Sequence, residues 1–102
     1  MPHTIVFRPA AEDDLAGLYA YIAHQSGDER ADRYLARIEA ACIALTDFPH
    51  RGTRRDDLFP GVRLLGFERR ISIAFMVDAT TVRILRIFYG GRDFPEEWSD
   101  TN

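Results

Sequence analysis

The stretch Gly61–Trp98, GVRLLGFERRISIAFMVDATTVRILRIFYGGRDFPEEW, decides the fold. It holds three short apolar runs, Val62–Phe67, Arg70–Val77 and Val82–Tyr89, divided by tight polar turns. In the second run Ile71, Ile73, Phe75 and Val77 alternate with Ser72, Ala74 and Met76, the period of a half-buried strand. The third run is apolar on both faces apart from Arg83 and Arg86, which predicts a central strand. Connections this short make residues 62–89 an antiparallel meander. Arginines lie inside the runs as well as between them, and a mid-strand guanidinium is costly unless something pairs with it. A sheet carrying several is expected to meet an anion, a nucleic acid or an acidic protein segment.

Upstream, His3–Arg8 (HTIVFR) reads as a first strand, stopped by Pro9. Pro9 also suits the first turn of a helix, and Glu12, Asp13 and Asp14 follow where carboxylates favour a helix N-terminus. Leu15, Leu18, Tyr19 and Ile22 then form one apolar stripe, and Gly27 ends the helix. Asp28 is placed to cap a second helix, with Tyr34, Leu35, Ile38, Ala41, Cys42 and Leu45 on its apolar face and Arg30, Arg33 and Arg37 elsewhere. Phe48-Pro49 closes that helix, and His50–Pro60 reads as a loop. The expectation is an α+β fold of order β-α-α-β-β-β, one domain over residues 1–102. Its antiparallel sheet carries a helical hairpin on one face, leaves the other face partly open, and takes the first strand at an edge or by insertion.

The net charge of -3 hides an asymmetry. Residues 1–50 hold four Arg against eight Asp and Glu, residues 51–92 nine Arg against four acids, and residues 93–102 four acids and no base. A basic middle between acidic segments favours an acidic partner. All 13 basic side chains are Arg, so no lysine is available as a nucleophile or low-pKa base, and every cation is a planar fork suited to carboxylate and phosphate. A single cysteine, Cys42, excludes an internal disulfide, and no segment approaches the roughly 18 apolar residues of a membrane span, so a cytoplasmic location is expected. His3, His24 and His50 lack paired ligand spacing, and no glycine-rich phosphate loop is present; neither a metal nor a cofactor is expected.

The element order and several motifs resemble the ParE/RelE superfamily of bacterial type II toxins. The motifs are Pro-Ala-Ala-Glu-Asp-Asp-Leu at 9–15, Leu-Tyr-Ala-Tyr-Ile-Ala at 18–23 and Ala-Asp-Arg-Tyr-Leu-Ala-Arg-Ile at 31–38. They continue with Pro49-His50-Arg51-Gly52, Pro60-Gly61-Val62-Arg63 and the terminal Val82–Asp93, an aliphatic strand with Arg83 and Arg86 that runs through Tyr89 into Gly-Gly-Arg-Asp. The chain looks closer to the ParE branch than to RelE. That resemblance implies a toxin that poisons DNA gyrase and is neutralised in a hetero-oligomer by a cognate, ParD-like antitoxin. The alternatives are a ribosome-dependent mRNA endonuclease of RelE type and a non-toxic relative that still binds antitoxin. A nuclease of this superfamily relies on a basic cluster, often with lysines, and a terminal tyrosine or histidine; its residues here would be Arg63, Arg86, Tyr89 and Arg92. The chain has no lysine, and Tyr89 stands where many relatives carry histidine, which weighs against enzymatic activity and against direct nucleic-acid binding. The candidate target- or antitoxin-binding residues are Arg63, Arg70, Arg86, Tyr89, Arg92 and Trp98. For Arg83, which follows a turn, pairing with a nearby acid is expected. Arg86 is either paired in a core network or floors a binding groove.

Overall fold

The computed structural model of the chain describes residues 3–90. Its elements run β1 (Thr4–Phe7), α1 (Pro9–Ser26), α2 (Asp28–Ala44), β2 (Thr53–Arg54), β3 (Arg63–Phe67), β4 (Ile71–Val77) and β5 (Thr81–Tyr89). The β-α-α-β-β-β order stands, with the short strand β2 added inside the expected loop. The sheet order is β1-β5-β4-β3-β2. The meander β3-β4-β5 is antiparallel as the alternation predicts, but β1 joins the β5 edge in parallel, with Thr4 opposite Thr81 and Phe7 opposite Ile84. The sheet is therefore mixed: two helices lie between β1 and the meander, and a crossover of that kind permits parallel pairing.

Pro9 starts α1 at its first turn, where a missing N–H costs nothing. Gly27, at φ 93, donates its N–H to the Ala23 carbonyl and is also the N-cap of α2. One residue in a conformation that favours glycine thus joins two helices into a hairpin. Asp28 does not cap α2 as expected; it is the first helical residue, where its charge still favours the N-terminal dipole.

The hairpin packs Ala11, Leu18, Leu35, Ile38, Cys42 and Leu45 against Ile71, Ile73, Phe75, Val82, Ile84 and Ile87 of the sheet. Burial pushes the Cys42 thiol up to about 12, in keeping with a structural role. The opposite face is less open than expected. Val62, Ala74, Leu85 and Phe88 form a second small core there, covered by Leu58 and Phe59 from the 55–62 loop. Two cores share β5 because its alternation resets at a β-bulge. Ala74 faces Arg86 and Phe75 faces Ile84, leaving Leu85 as the extra residue. Ile84 and Ile87 then both point to the hairpin, while Leu85 and Phe88 point away.

Candidate functional site

β1 ends at Phe7, and the last bond along that edge is from the Arg8 N–H to the Ile84 carbonyl. Pro9 then turns the chain into α1, so the second half of β5 loses its neighbour. Asp14, in the second turn of α1, replaces it. One carboxylate oxygen accepts the Ile87 N–H at 2.8 Å, and the pair of oxygens takes the Arg86 fork at 2.8 and 3.0 Å. The guanidinium also lies 5.2 Å from the centre of the Phe88 ring. Asp14 and Arg86 are largely covered, at 13% and 31% side-chain exposure. Of the two readings open for Arg86, the structure has the paired one. Arg86 also does not share a face with Val82 and Ile84, as simple alternation predicts, because the bulge intervenes. The Asp14 bond raises the Arg86 pKa further, so the guanidinium stays charged at every ordinary pH.

A cavity of about 630 Å³ opens between the C-terminal half of α1, the N-terminal half of α2 and the β3–β4 turn. Arg30, Arg33 and Arg37 reach it from α2, and Arg70 from the β3–β4 turn. Tyr21, Tyr34 and Tyr89 give it aromatic walls. The Tyr21 and Tyr89 rings are 5.8 Å apart, and Tyr21 also stands among the exposed large side chains. Glu68 is the carboxylate lining this cavity, and Arg37 holds both of its oxygens, at 2.8 and 3.2 Å. Glu68 sits in a strained turn: Glu68 and Arg69 both have positive φ, 48 and 66, which costs roughly 1 kcal/mol or more per non-glycine residue. The turn thereby sets Glu68 against α2 and Arg70 into the cavity.

The electrostatics leave the cavity cationic. Arg33 pairs with Glu29 and Arg37 with Glu68, whereas the Arg30 and Arg70 side chains have no hydrogen-bond or ion-pair partner among the described residues. Burial pushes the Tyr34 hydroxyl up from its ordinary value, with Tyr89 and Glu68 adding to the effect. Tyr34 is thus even less available as a phenolate base at neutral pH than a free tyrosine.

Of the residues expected from sequence, Arg70 and Tyr89 meet in this cavity. Arg63 points elsewhere and donates to the His50 carbonyl at 3.2 Å. Arg83 pairs with Asp78 at 2.6 Å, as its place after a turn predicts. Arg92 and Trp98 lie outside the described residues. The basic character of residues 51–92 is partly cancelled locally, because Arg54 pairs with Asp56, Arg55 with Asp57, Arg83 with Asp78 and Arg86 with Asp14. The three α2 arginines escape sequence reasoning because they sit in the acidic half of the chain. Their spacing, i, i+3 and i+7, is the signal that puts them on one helix face. Among the described residues no helix is long and apolar enough to cross a membrane.

A helical hairpin over a short mixed sheet thus carries an arginine- and tyrosine-lined cavity. The chain is similar to the chromosomal ParDE system from P. aeruginosa, with 28% identity, a TM-score of 0.76, and 86% of this chain and 96% of that chain covered. It is similar in fold to the RelBE2 toxin–antitoxin complex from Mycobacterium tuberculosis, with 23% identity, a TM-score of 0.64, and 87% and 99% covered. No curated protein matches the chain. The family model for the ParE toxin of type II toxin–antitoxin systems, parDE, matches residues 5–94, and the chain belongs to that family.

Proposed function

We propose that this ParE-family toxin arrests growth by binding and poisoning DNA gyrase, using the cationic, tyrosine-walled cavity as part of its recognition surface, and not by cleaving RNA. The observation that carries the reading is the chemistry of the cavity. A ribonuclease must take a proton from a 2′-OH, and general bases work best with a pKa near the operating pH. The cavity residues offer permanent guanidinium cations, a tyrosine shifted further from neutrality, and a carboxylate already held by Arg37. Such a set suits recognition of carboxylates on a protein better than proton transfer. The test uses purified components. The toxin is expected to abolish gyrase supercoiling and to leave ribosome-bound mRNA uncut. Toxin-dependent cuts in that mRNA with supercoiling intact would reverse the assignment.

A cognate ParD-like antitoxin neutralises the toxin in a hetero-oligomer, by laying an amphipathic, acidic segment on this basic surface. Both similar structures are described as toxin–antitoxin systems or complexes, which supports a partner of this kind. Charge pairing across such a surface mainly speeds association, while apolar anchors set the residence time. The association rate should therefore fall modestly as salt rises to physiological strength, and a rate insensitive to salt would remove the electrostatic part of this reading.

A further inference from the structure

Among the described residues that line the cavity, four are cations, Arg30, Arg33, Arg37 and Arg70, and one is a carboxylate, Glu68. Arg37 donates to Glu68 through Nε at 2.8 Å and Nη2 at 3.2 Å, the two-pronged grip of a guanidinium on a carboxylate. The grip is weak for its geometry. Side-chain exposure is 53% for Arg37 and 42% for Glu68, and pairs this wet contribute little and part readily. The β3–β4 turn does not depend on it. Its backbone is closed by the Arg70 N–H on the Glu68 carbonyl and tied to the end of β5 by the Gly90 N–H on the Arg70 carbonyl, each at 2.8 Å. Arg37 has a second support, with its guanidinium 5.2 Å from the centre of the Tyr34 ring. The Glu68 side chain is therefore free to swing out while the Arg37 fork stays aimed. Glu68, Arg37, Arg70 and Tyr89 all act on the Tyr34 hydroxyl, which puts these groups in one small neighbourhood.

We infer that Glu68 is a displaceable stand-in for a partner's carboxylate: two neighbouring carboxylates of an acidic protein segment dock in the cavity, one replacing Glu68 on Arg37 and the other meeting Arg30 and Arg70. The device selects for paired acids. A lone carboxylate on Arg37 gains little, because it exchanges one acid for another. A second carboxylate reaches the cations that Glu68 leaves without an ion-pair partner among the described residues. Carboxylates are favoured over phosphates because the cavity already holds a carboxylate in this grip. Glu68 thus acts as a built-in competitor that keeps the Arg37 fork ordered in the free protein. The inference rests on the reading of the cavity as a recognition surface for acids, but not on which partner uses it.

The probe is a hexaglutamate peptide, titrated calorimetrically at low salt into the full chain, with circular dichroism to check the fold of each variant. Glu68→Gln should tighten binding about three- to five-fold, the ceiling set by a pair this exposed. In an Arg37→Gln background, where Glu68 has no fork to occupy, that gain should vanish. Glu39→Gln removes an equal charge from an exposed position on α2 and should leave binding nearly unchanged. A second measurement needs no variant. As hexaglutamate saturates the wild type, the side-chain carboxyl carbon signal of Glu68 in NMR should move to that of a free glutamate. Several results would overturn the inference. They are a Glu68 signal that stays in place at saturation, a Glu68→Gln variant that binds no tighter than the wild type, and a gain that survives Arg37→Gln or is matched by Glu39→Gln. Inorganic pyrophosphate binding more tightly than hexaglutamate would make this a phosphate site, and no hexaglutamate binding at all would remove the site. The reading of the cavity as a recognition surface is tested separately, by growth arrest in Arg30→Glu/Arg70→Glu, and it stands or falls without Glu68.

Discussion

The open half of the β5 edge and the cavity rim both present arginines, yet they use them in opposite ways. At the edge, Arg86 is locked by two bonds to Asp14, and the same carboxylate closes the ladder at Ile87. At the rim, Arg30 and Arg70 have no ion-pair partner among the described residues, and Arg37 and Glu68 meet half in solvent. The difference lies in what else each carboxylate must do. Asp14 replaces a missing strand and cannot be spared, whereas Glu68 only tethers a turn. A guanidinium tied to the first kind of acid belongs to the fold, and one beside the second kind remains available to a partner.

The largest effect that could break this contrast is at Asp14. Asp14→Ala removes the acceptor of three hydrogen bonds and leaves Arg86 and the Ile87 N–H without it. The expected loss is about 2–4 kcal/mol, below the full penalty for a buried pair because Arg86 keeps some contact with water. At about 4–8 °C per kcal/mol for a domain of this size, thermal unfolding would report it clearly. Arg86→Ala should cost less, about 1–3 kcal/mol, since Asp14 still receives the Ile87 N–H. If the two variants melt in the reverse order, Asp14 is not the keystone of the edge.

At the rim the expected effects are smaller, and one has the opposite sign. Arg69→Gly relieves a positive φ in the β3–β4 turn and should raise stability by about 1 kcal/mol. A loss there would mean that the Arg69 side chain does more than tolerate the turn. A double-mutant cycle on Arg37 and Glu68 should give a coupling of at most about 1 kcal/mol, reduced by salt, because both side chains are about half exposed.

The smallest effect at neutral pH is at Cys42, whose thiol is held up to about 12 against an ordinary 9.0. Its folded-state pKa is raised, so its contribution to stability is complete below about pH 9 and is lost as pH climbs through 12. Thiol reagents at neutral pH should therefore label only the unfolded chain, and rapid labelling of the folded protein would show that Cys42 is not sealed beneath α2.

The same contrast shows how far the sequence alone can be read. Alternation at Ile71, Ile73, Phe75 and Val77 predicts β4 because it is a local period, and each of the four packs on the hairpin core. The stripe of α1 and the stop at Gly27 are local in the same way. The bulge at Leu85 is not, because it is a property of pairing with β4, and it alone moves Arg86 away from the face that alternation assigns. Asp14 lies 72 residues from Arg86, and nothing in its neighbourhood distinguishes it from Asp13. The cavity is half legible: Arg70 and Tyr89 stand in the runs that alternation marks as strands, while Arg30, Arg33 and Arg37 are hidden when charge is counted along the chain instead of across helix faces.

The most direct test of the division between fold and recognition sets two variants side by side, Arg86→Ala and Arg30→Glu/Arg70→Glu, and measures melting temperature and growth arrest for both. Arg86→Ala should melt lower yet still arrest growth at a temperature where it remains folded. The cavity pair should melt within error of the wild type and fail to arrest growth. A cavity pair that stays fully toxic, or an Arg86→Ala variant that keeps its melting temperature and loses toxicity, would contradict the account.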